Sequence, residues 1–392
     1  MKRQTIAVIS FSPIARDARV LRQLRYLAPD YDLIVVGQGP VPDQWAGRAG
    51  VTWVNADKKW RRIVAIARLP ILLLSRFSSR VFDLWYWSSP AHLAAFAAAD
   101  RVAPPDLAAI HANDWNTLPL ALRLASTRAS RVVLDLHEFA PLEFEERLLW
   151  RAFYPAPIRA LLRRSASRLA ATITVAPAIA ERYRLEFGLD PVVVLNAPDS
   201  AEVPDHAVNP EGIRMIHHGA AKHGRQLELL INVLARCHPR FSLDFMLVGE
   251  AGYVADLRDR ARRLVGNRVR FREPVVPDQV LAVIAEYDIG FYLLPPAGYS
   301  AAEALPNKLF DYVGAGAAIV VGPTHAMAAF VREHGIGLVT ESFDEEVVAN
   351  ELNHLDASQI EAMRARSRDI RQTYNGATEM AKVVALYQGL LT

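Results

Sequence analysis

The chain has 392 residues, a length that favours two domains, each large enough for its own hydrophobic core. With 52% hydrophobic and 22% charged residues it has the composition of a folded globular protein, which excludes extensive disorder, collagen and coiled coil. The formal charge of +3 identifies no partner, and one cysteine, Cys237, excludes an internal disulfide and a thiolate metal cluster, so a reducing compartment is expected.

The predicted elements begin with Met1-Lys2-Arg3-Gln4 and the apolar run Thr5 to Ser10, read as a first β-strand because the run is too short for a signal peptide's hydrophobic region. Ser12, Arg16, Asp17 and Arg19 follow that strand and can contact an acceptor or a phosphate, while Asp17 and Arg19 can equally pair on a helix surface. Asp30-Tyr31-Asp32 has a metal-binding D-x-D form but precedes the strand Leu33 to Gly37, which reads as a helix-to-strand turn. Gly37-Gln38-Gly39 runs into Pro40 rather than a helix and makes a poor dinucleotide fingerprint.

Between Lys58 and Phe82 lie seven basic residues and no acidic one, so the remainder of the chain is net acidic. Lys58, Lys59, Arg61, Arg62, Arg68, Arg76 and Arg80 interleave with Trp60, Ile63, Ile66 and Ile71 to Leu74, and Trp85-Tyr86-Trp87 follows. A helix of this kind can lie in the headgroup layer of an anionic membrane; the alternative is a core helix with solvated flanks. The longest apolar stretch, Ile63 to Leu74, is too short to span a bilayer.

Further apolar runs alternate with helical patterns at Ala108 to His111, Val132 to Leu136, Ala171 to Val175 and Val192 to Leu195. After a linker at about 197–211 the pattern restarts at Ile213 to His217, Asp244 to Val248, Val269 to Phe271, Ile289 to Leu293 and Ala318 to Val321. Nearly continuous apolar strands separated by helices predict parallel sheets covered on both faces. The fold class expected is α/β, with two doubly wound, Rossmann-like domains at 1–200 and 201–371 and a terminal helix at about 372–392 crossing back to the first. Ligands are then expected in a cleft facing the carboxyl ends of both sheets.

The residues that follow strands are therefore the candidates. Gly219-Ala220-Ala221-Lys222-His223-Gly224-Arg225 reads as a strand-to-helix loop that could cradle a phosphate, with Lys222 and Arg225 adding charge. Pro306 opens a helix at about Asn307 to Val313 that Gly314 and Gly316 should end, with Lys308 in its first turn. Glu303 is placed on the loop before it and Asp311 one turn inside, where two carboxylates can meet paired hydroxyls of one ligand. In the first half, Asp135-Leu136-His137-Glu138 follows a strand, and His137 can donate to a hydroxyl or accept a proton. No His/Cys cluster has metal-ligand spacing, so neither metal nor cofactor is expected, and the chain carries no nucleic-acid-binding motif.

Glu303, seven intervening residues and Asp311, joined to Pro306-Asn307-Lys308-Leu309-Phe310-Asp311-Tyr312 and Gly316, resemble the E-x7-E region of GT-B glycosyltransferases, particularly glycosyltransferase family 4. A weaker similarity covers Asp17 to Val20, His111 to Leu118, Asp135 to Glu138 and Val194 to Asp199. The resemblance implies that Glu303 faces the donor sugar, that Asp311 binds the ribose, that Arg225 stands for the family's lysine at the diphosphate, and that His137 contacts the donor sugar. Glu273 to Val275 would supply backbone contacts to the base, with Gly219, Pro306 and Asn307 at the phosphates and Glu138 on the acceptor side. The second acid is Asp instead of Glu, and Ala220 replaces the family's arginine, so Lys222 or Lys308 must act as the second cation.

The activity implied is transfer of a sugar from a nucleotide-diphosphate-sugar to a lipid-linked or glycan acceptor, with retention, by a cytoplasmic enzyme peripheral to the inner face of the plasma membrane through about 58–87. A UDP-sugar 2-epimerase of the same architecture and a non-catalytic glycosyltransferase-like subunit are the alternatives.

Overall fold

The structure, a computed structural model, describes residues 3–56 and 68–392; most of the cationic half of the basic segment, from Lys58 to Ile66, lies outside the described residues. Contacts divide the chain into two units. The first comprises Met1–Leu195, Gly298–Ser300 and Met380–Thr392, and the second Asn196–Ala297 and Ala301–Glu379.

The first unit is built on a parallel sheet of β1 (Thr5–Pro13), β2 (Asp32–Gln38), β3 (Val51–Asn55), β4 (Ala109–Asn113), β5 (Arg131–Leu136), β6 (Ala171–Thr174) and β7 (Val192–Val193). The strand order is β3-β2-β1-β4-β5-β6-β7. Ile6, Ala7, Val8 and Ile9 are all fully buried, because helices cover both faces and the alternation of a one-sided strand disappears. Met380, Val383 and Tyr387 of the terminal helix Gly376–Leu391 lie in the same core cluster as Ile6, Val8 and Leu24. The Tyr387 hydroxyl meets His111 Nδ1 at 2.9 Å. β3, absent from the sequence expectation, is a short edge strand whose residues are mostly half-exposed, so no apolar run marks it.

The second unit carries β8 (Ile213–Ala221), β9 (Phe241–Gly249), β10 (Val269–Arg272), β11 (Ile289–Tyr292), β12 (Ala318–Val321) and β13 (Gly337–Val339), in the order β10-β9-β8-β11-β12-β13. All its pairs are parallel. The direction of winding reverses between β8 and β11, as it does between β1 and β4 in the first unit; such switch points leave a crevice at the carboxyl ends of the strands.

Three local expectations are corrected. Gly219 to Ala221 belong to β8, paired with Leu247 to Gly249, so the loop proper begins at Lys222. The helix Asn307–Ala315 runs through Gly314 and ends at Gly316, which takes the left-handed conformation of a C-terminal cap. Glu303 closes a short helical turn, Tyr299–Glu303, instead of lying in a loop. The segment read as a linker is tied to the second unit, since His206 Nε2 lies 2.9 Å from Oδ1 of buried Asp288, whose Oδ2 accepts from the Arg214 N–H at 2.7 Å.

The membrane-facing reading of Trp85 and Tyr86 is also corrected. Both are buried, and the Tyr86 hydroxyl donates to the Asn116 carbonyl at 2.7 Å. Arg68 is buried with them, bonded to the Ser88 hydroxyl at 2.9 Å. Aromatic rings of this size contribute more to a core than at a surface. Among the described residues no helix is long and apolar enough to cross a membrane.

Candidate functional site

In the second unit the site starts from two glycines. A Cβ at Gly290, within β11, would fall 2.2 Å from the Tyr312 ring, so only glycine lets that ring lie flat on the strand. Tyr312 then reaches the Ile216 carbonyl at 3.3 Å and draws the helix Asn307–Ala315 over the end of the sheet. One turn earlier, the Lys308 side chain lies against Gly219, whose φ is +112°. The helix thus delivers Lys308 and Asp311 to the β8/β11 switch point.

The electrostatics there are those of an anion site. Lys308 is buried, and burial together with repulsion from Arg225 pushes its pKa down to about 7, against the pull of Asp311. Burial and the same lysine push His217 down to about 3 and hold His218 well below the ordinary histidine range, so both rings are neutral. His217 Nδ1 meets the Phe291 carbonyl at 2.9 Å, and His218 Nε2 lies 3.6 Å from Asp311 Oδ2. A negative ligand would relieve the repulsion that keeps Lys308 close to losing its proton.

The other sequence candidates sit around this group. Glu303 is mostly buried and its Oε2 meets His325 Nδ1 at 2.7 Å, which raises the His325 pKa. Pro306 caps the helix and Asn307 is its first residue. Arg225 ends a 3-10 turn, His223–Arg225, and Lys222 stands exposed before it. Glu273 lines a cavity of about 280 Å³ between β9, β10 and the helix Ala251–Leu264, together with Leu247, Phe271 and Pro274. Val275 is half-buried just beyond it. The structure therefore sets Lys308 against Gly219 with Arg225 and Asp311 acting on its charge, pairs Glu303 with His325 from the helix after β12, and leaves Lys222 in solvent.

In the first unit the ends of β4 and β5 hold a second polar group. Asp114 has a positive φ of 65°, and its carboxylate accepts from the His137 backbone N–H at 3.0 Å and lies 3.2 Å from His137 Nδ1. Burial alone would lower the His137 pKa, but Asp114 and Asp135 outweigh it and push it up to about 9. Of the two roles open to His137, donation is the one this charge state favours at neutral pH. Glu143 accepts from the Trp115 indole at 3.3 Å, and burial, reinforced by Asp114, pushes its pKa up to about 8.

Arg19 is corrected outright. It is buried, forks onto Asp135 through Nε at 2.7 Å and Nη2 at 2.8 Å, and gives Nη1 to the Val194 carbonyl at 2.9 Å. Its guanidinium is committed to Asp135, which is fully buried and needs the bidentate partner. Gln23 adds a bond at 2.6 Å, and the Asp135 carboxylate stays ionised well below its usual range even though burial opposes this. Asp17 instead caps the helix Ala18–Leu27, taking the Val20 N–H at 3.2 Å and the Ser12 hydroxyl at 2.6 Å. Arg16 closes the preceding 3-10 turn, and Glu138 is held through its carbonyl by the Tyr183 hydroxyl at 2.7 Å.

Residues 212–357, most of the second unit, match the family model described as glycosyl transferases group 1. No curated protein sequence matches the chain. Among solved structures, sucrose-phosphate synthase from Thermosynechococcus elongatus is similar with a TM-score of 0.73 at 15% identity, covering 99% of each chain. HepE of Anabaena, solved with UDP and glucose, is similar with a TM-score of 0.69 at 14% identity, covering 99% of this chain and 100% of its own. The trehalose 6-phosphate synthase of Burkholderia multivorans gives 0.65 at 13%, covering 100% and 99%. These likenesses establish the fold, which is GT-B. Among the described residues no cluster of His, Cys, Asp or Glu is placed to hold a metal.

Sequence reasoning missed four residues of these groups: Asp114, Glu143, His218 and His325. Asp114 follows a strand and was open to the same logic as His137; the other three are recruited by packing across elements and leave no local mark.

Proposed function

We propose that this glycosyltransferase moves a sugar from a uridine diphosphate sugar to an acceptor hydroxyl. One observation carries the reading: Lys308, buried and pushed down to about 7, lies against the Gly219 backbone beside Arg225, a pair of cations that a diphosphate would satisfy. A leaving diphosphate gains negative charge as its bond to the sugar breaks, and preformed cations stabilise that charge without reorganising. The amides at the start of the helix Asn307–Ala315 add their dipoles.

Asp311 is the acceptor for the ribose hydroxyls, and Glu303, held by His325, for the hydroxyls of the transferred sugar. The cavity beside Glu273 is of a size and apolar lining suited to the base. On the first unit His137, an imidazolium at neutral pH, is a donor for a sugar hydroxyl. In the reaction the bond from the anomeric carbon to the diphosphate oxygen breaks and the acceptor oxygen bonds to that carbon from the same face. The acceptor proton passes to the departing phosphate oxygen. The configuration is retained. The uridine assignment is supported by the UDP and glucose in the HepE structure.

For the acceptor we propose a lipid-linked or growing glycan at the inner face of the cytoplasmic membrane. Exposed Leu74, Phe77 and Leu84, with Arg76 and Arg80 among them, support this, since apolar side chains set among cations favour an anionic bilayer.

Thermal denaturation with UDP, GDP and dTDP tests the donor. A nucleotide at 100 times its dissociation constant stabilises by about 2.7 kcal/mol. UDP is expected to raise the midpoint most; a larger rise from GDP would overturn the uridine assignment, and no rise from any of the three would overturn the donor site itself.

A further inference from the structure

Lined by none of the residues of either site group, an open pocket of about 470 Å³ lies in the first unit between the helices Ser79–Trp87, Leu118–Ser126 and Pro155–Ser165. Three arginines line it: Arg123, Arg164 and Arg168. Asp83 is the one carboxylate in its wall, and none of the three arginines has a carboxylate within 4 Å among the described residues. Three arginines against one carboxylate leave the wall of the cavity net positive.

The arginines are held by contacts that do not neutralise them. The Arg123 guanidinium lies 4.4 Å from the Trp87 ring centroid and 4.5 Å from that of Phe96. Arg164 lies 4.5 Å above Phe82, and burial lowers its pKa from the ordinary value despite the nearby Asp83. Arg168 gives one N–H to the Leu122 carbonyl at 3.3 Å, which fixes the side chain but uses one of five donors. Serine hydroxyls of Ser79, Ser126 and Ser165 complete the polar wall. Planar guanidinium groups stacked on aromatic faces, next to hydroxyl donors, are suited to phosphate oxygens.

We propose that this cavity is a binding site for a phosphate ester, separate from the donor site. Its volume exceeds what a bare phosphate fills and leaves room for the organic group that the ester carries. Phosphate oxygens accept from the N–H forks of Arg123, Arg164 and Arg168, and the hydroxyls of Ser79 and Ser165 donate to the remaining lone pairs. Two sources share this chemistry: a soluble phosphate ester and a phospholipid headgroup. Phe77, 74% exposed and two residues before Ser79, places an apolar side chain near the rim and makes the second source worth a separate arm of the test.

The test is calorimetric titration of the full chain with inorganic phosphate and with glycerol 3-phosphate, together with co-sedimentation on phosphatidylcholine vesicles with and without phosphatidic acid. Both soluble probes are expected to bind, and Arg164→Gln and Arg168→Gln are each expected to weaken them by about ten-fold or more. Arg164→Lys, which keeps charge but loses the fork, should fall between, and an unchanged circular dichroism spectrum shows that the variants fold. Vesicle binding by the wild type that added inorganic phosphate competes away and that the same variants lose identifies the headgroup; vesicle binding unchanged by them identifies the soluble ester. No binding of either soluble probe overturns the proposal. So does binding that Arg225→Gln weakens and the cavity variants do not, because the anion then sits in the donor site.

Discussion

The Lys308 ammonium lies so close to Gly219 that a Cβ at residue 219 would fall 2.6 Å from both its Cε and its Nζ. Gly219→Ala is therefore expected to swing the lysine tip aside, because a flexible end moves before a strand does. UDP affinity should fall by about ten-fold or more, as a charge-assisted contact is lost. The positive φ adds strain of about 1 to 3 kcal/mol. Calorimetry with UDP and a urea titration of the same variant separate the two effects.

Lys308→Met is expected to stabilise the unliganded protein near neutral pH and to abolish the rise in melting midpoint that UDP gives. The reason is the burial of a cation next to Arg225. The sign follows from the proton balance. The unfolded lysine keeps its proton up to its ordinary pKa of about 10.4, while the folded one loses it near 7, so this group makes stability rise with pH between the two. Urea titrations at pH 7 and pH 9 check it: the wild type should gain stability relative to the variant over that interval.

His137 gives the opposite slope. Its folded pKa is raised to about 9 from an ordinary value near 6.5, so its contribution is complete below about 6.5 and is lost as pH rises through about 9. His137→Gln is expected to remove that dependence, and the difference between wild type and variant in urea should shrink from pH 6 to pH 10. Sugar transfer by the wild type should fall over the same upper range, as the imidazolium donor is lost.

Glu303 and Asp311 are expected to separate turnover from nucleotide binding. Asp311→Asn should weaken UDP itself. Glu303→Gln should leave UDP affinity near that of the wild type while transfer from the UDP-sugar donor falls by about a hundred-fold, the loss typical of one preorganised polar contact in a transition state. Calorimetry with UDP beside a radiolabelled transfer assay reads both.

Arg19→Met is expected to destabilise the first unit by about 3 to 5 kcal/mol, because Asp135 would remain buried and ionised without its fork. UDP affinity should be untouched, which calorimetry on the folded fraction would show. A loss of UDP affinity with little loss of stability would instead return Arg19 to a ligand-contacting role.

Taken by itself, the sequence was enough to determine the alternation of strands and helices, the restart of the pattern near Ile213, and the placing of Arg225, Lys308 and Asp311 after strands. Those features are local: an apolar run, a proline before a helix and a glycine after one act over a few residues and can be read in order. Tertiary structure alone decided what each polar side chain is for. Arg19 and Arg225 are both arginines that closely follow a strand, yet one is locked on Asp135, 116 positions away, and the other acts through its charge on Lys308. His137 became a cation and His218 a neutral ring because Asp114 and Asp135 face the first, whereas Lys308 and burial act on the second. Trp85 and Tyr86 went to the core for the same reason. Charge state and exposure depend on what packs against a residue across the fold, and burial changes the energy of a charge by more than any local preference can supply.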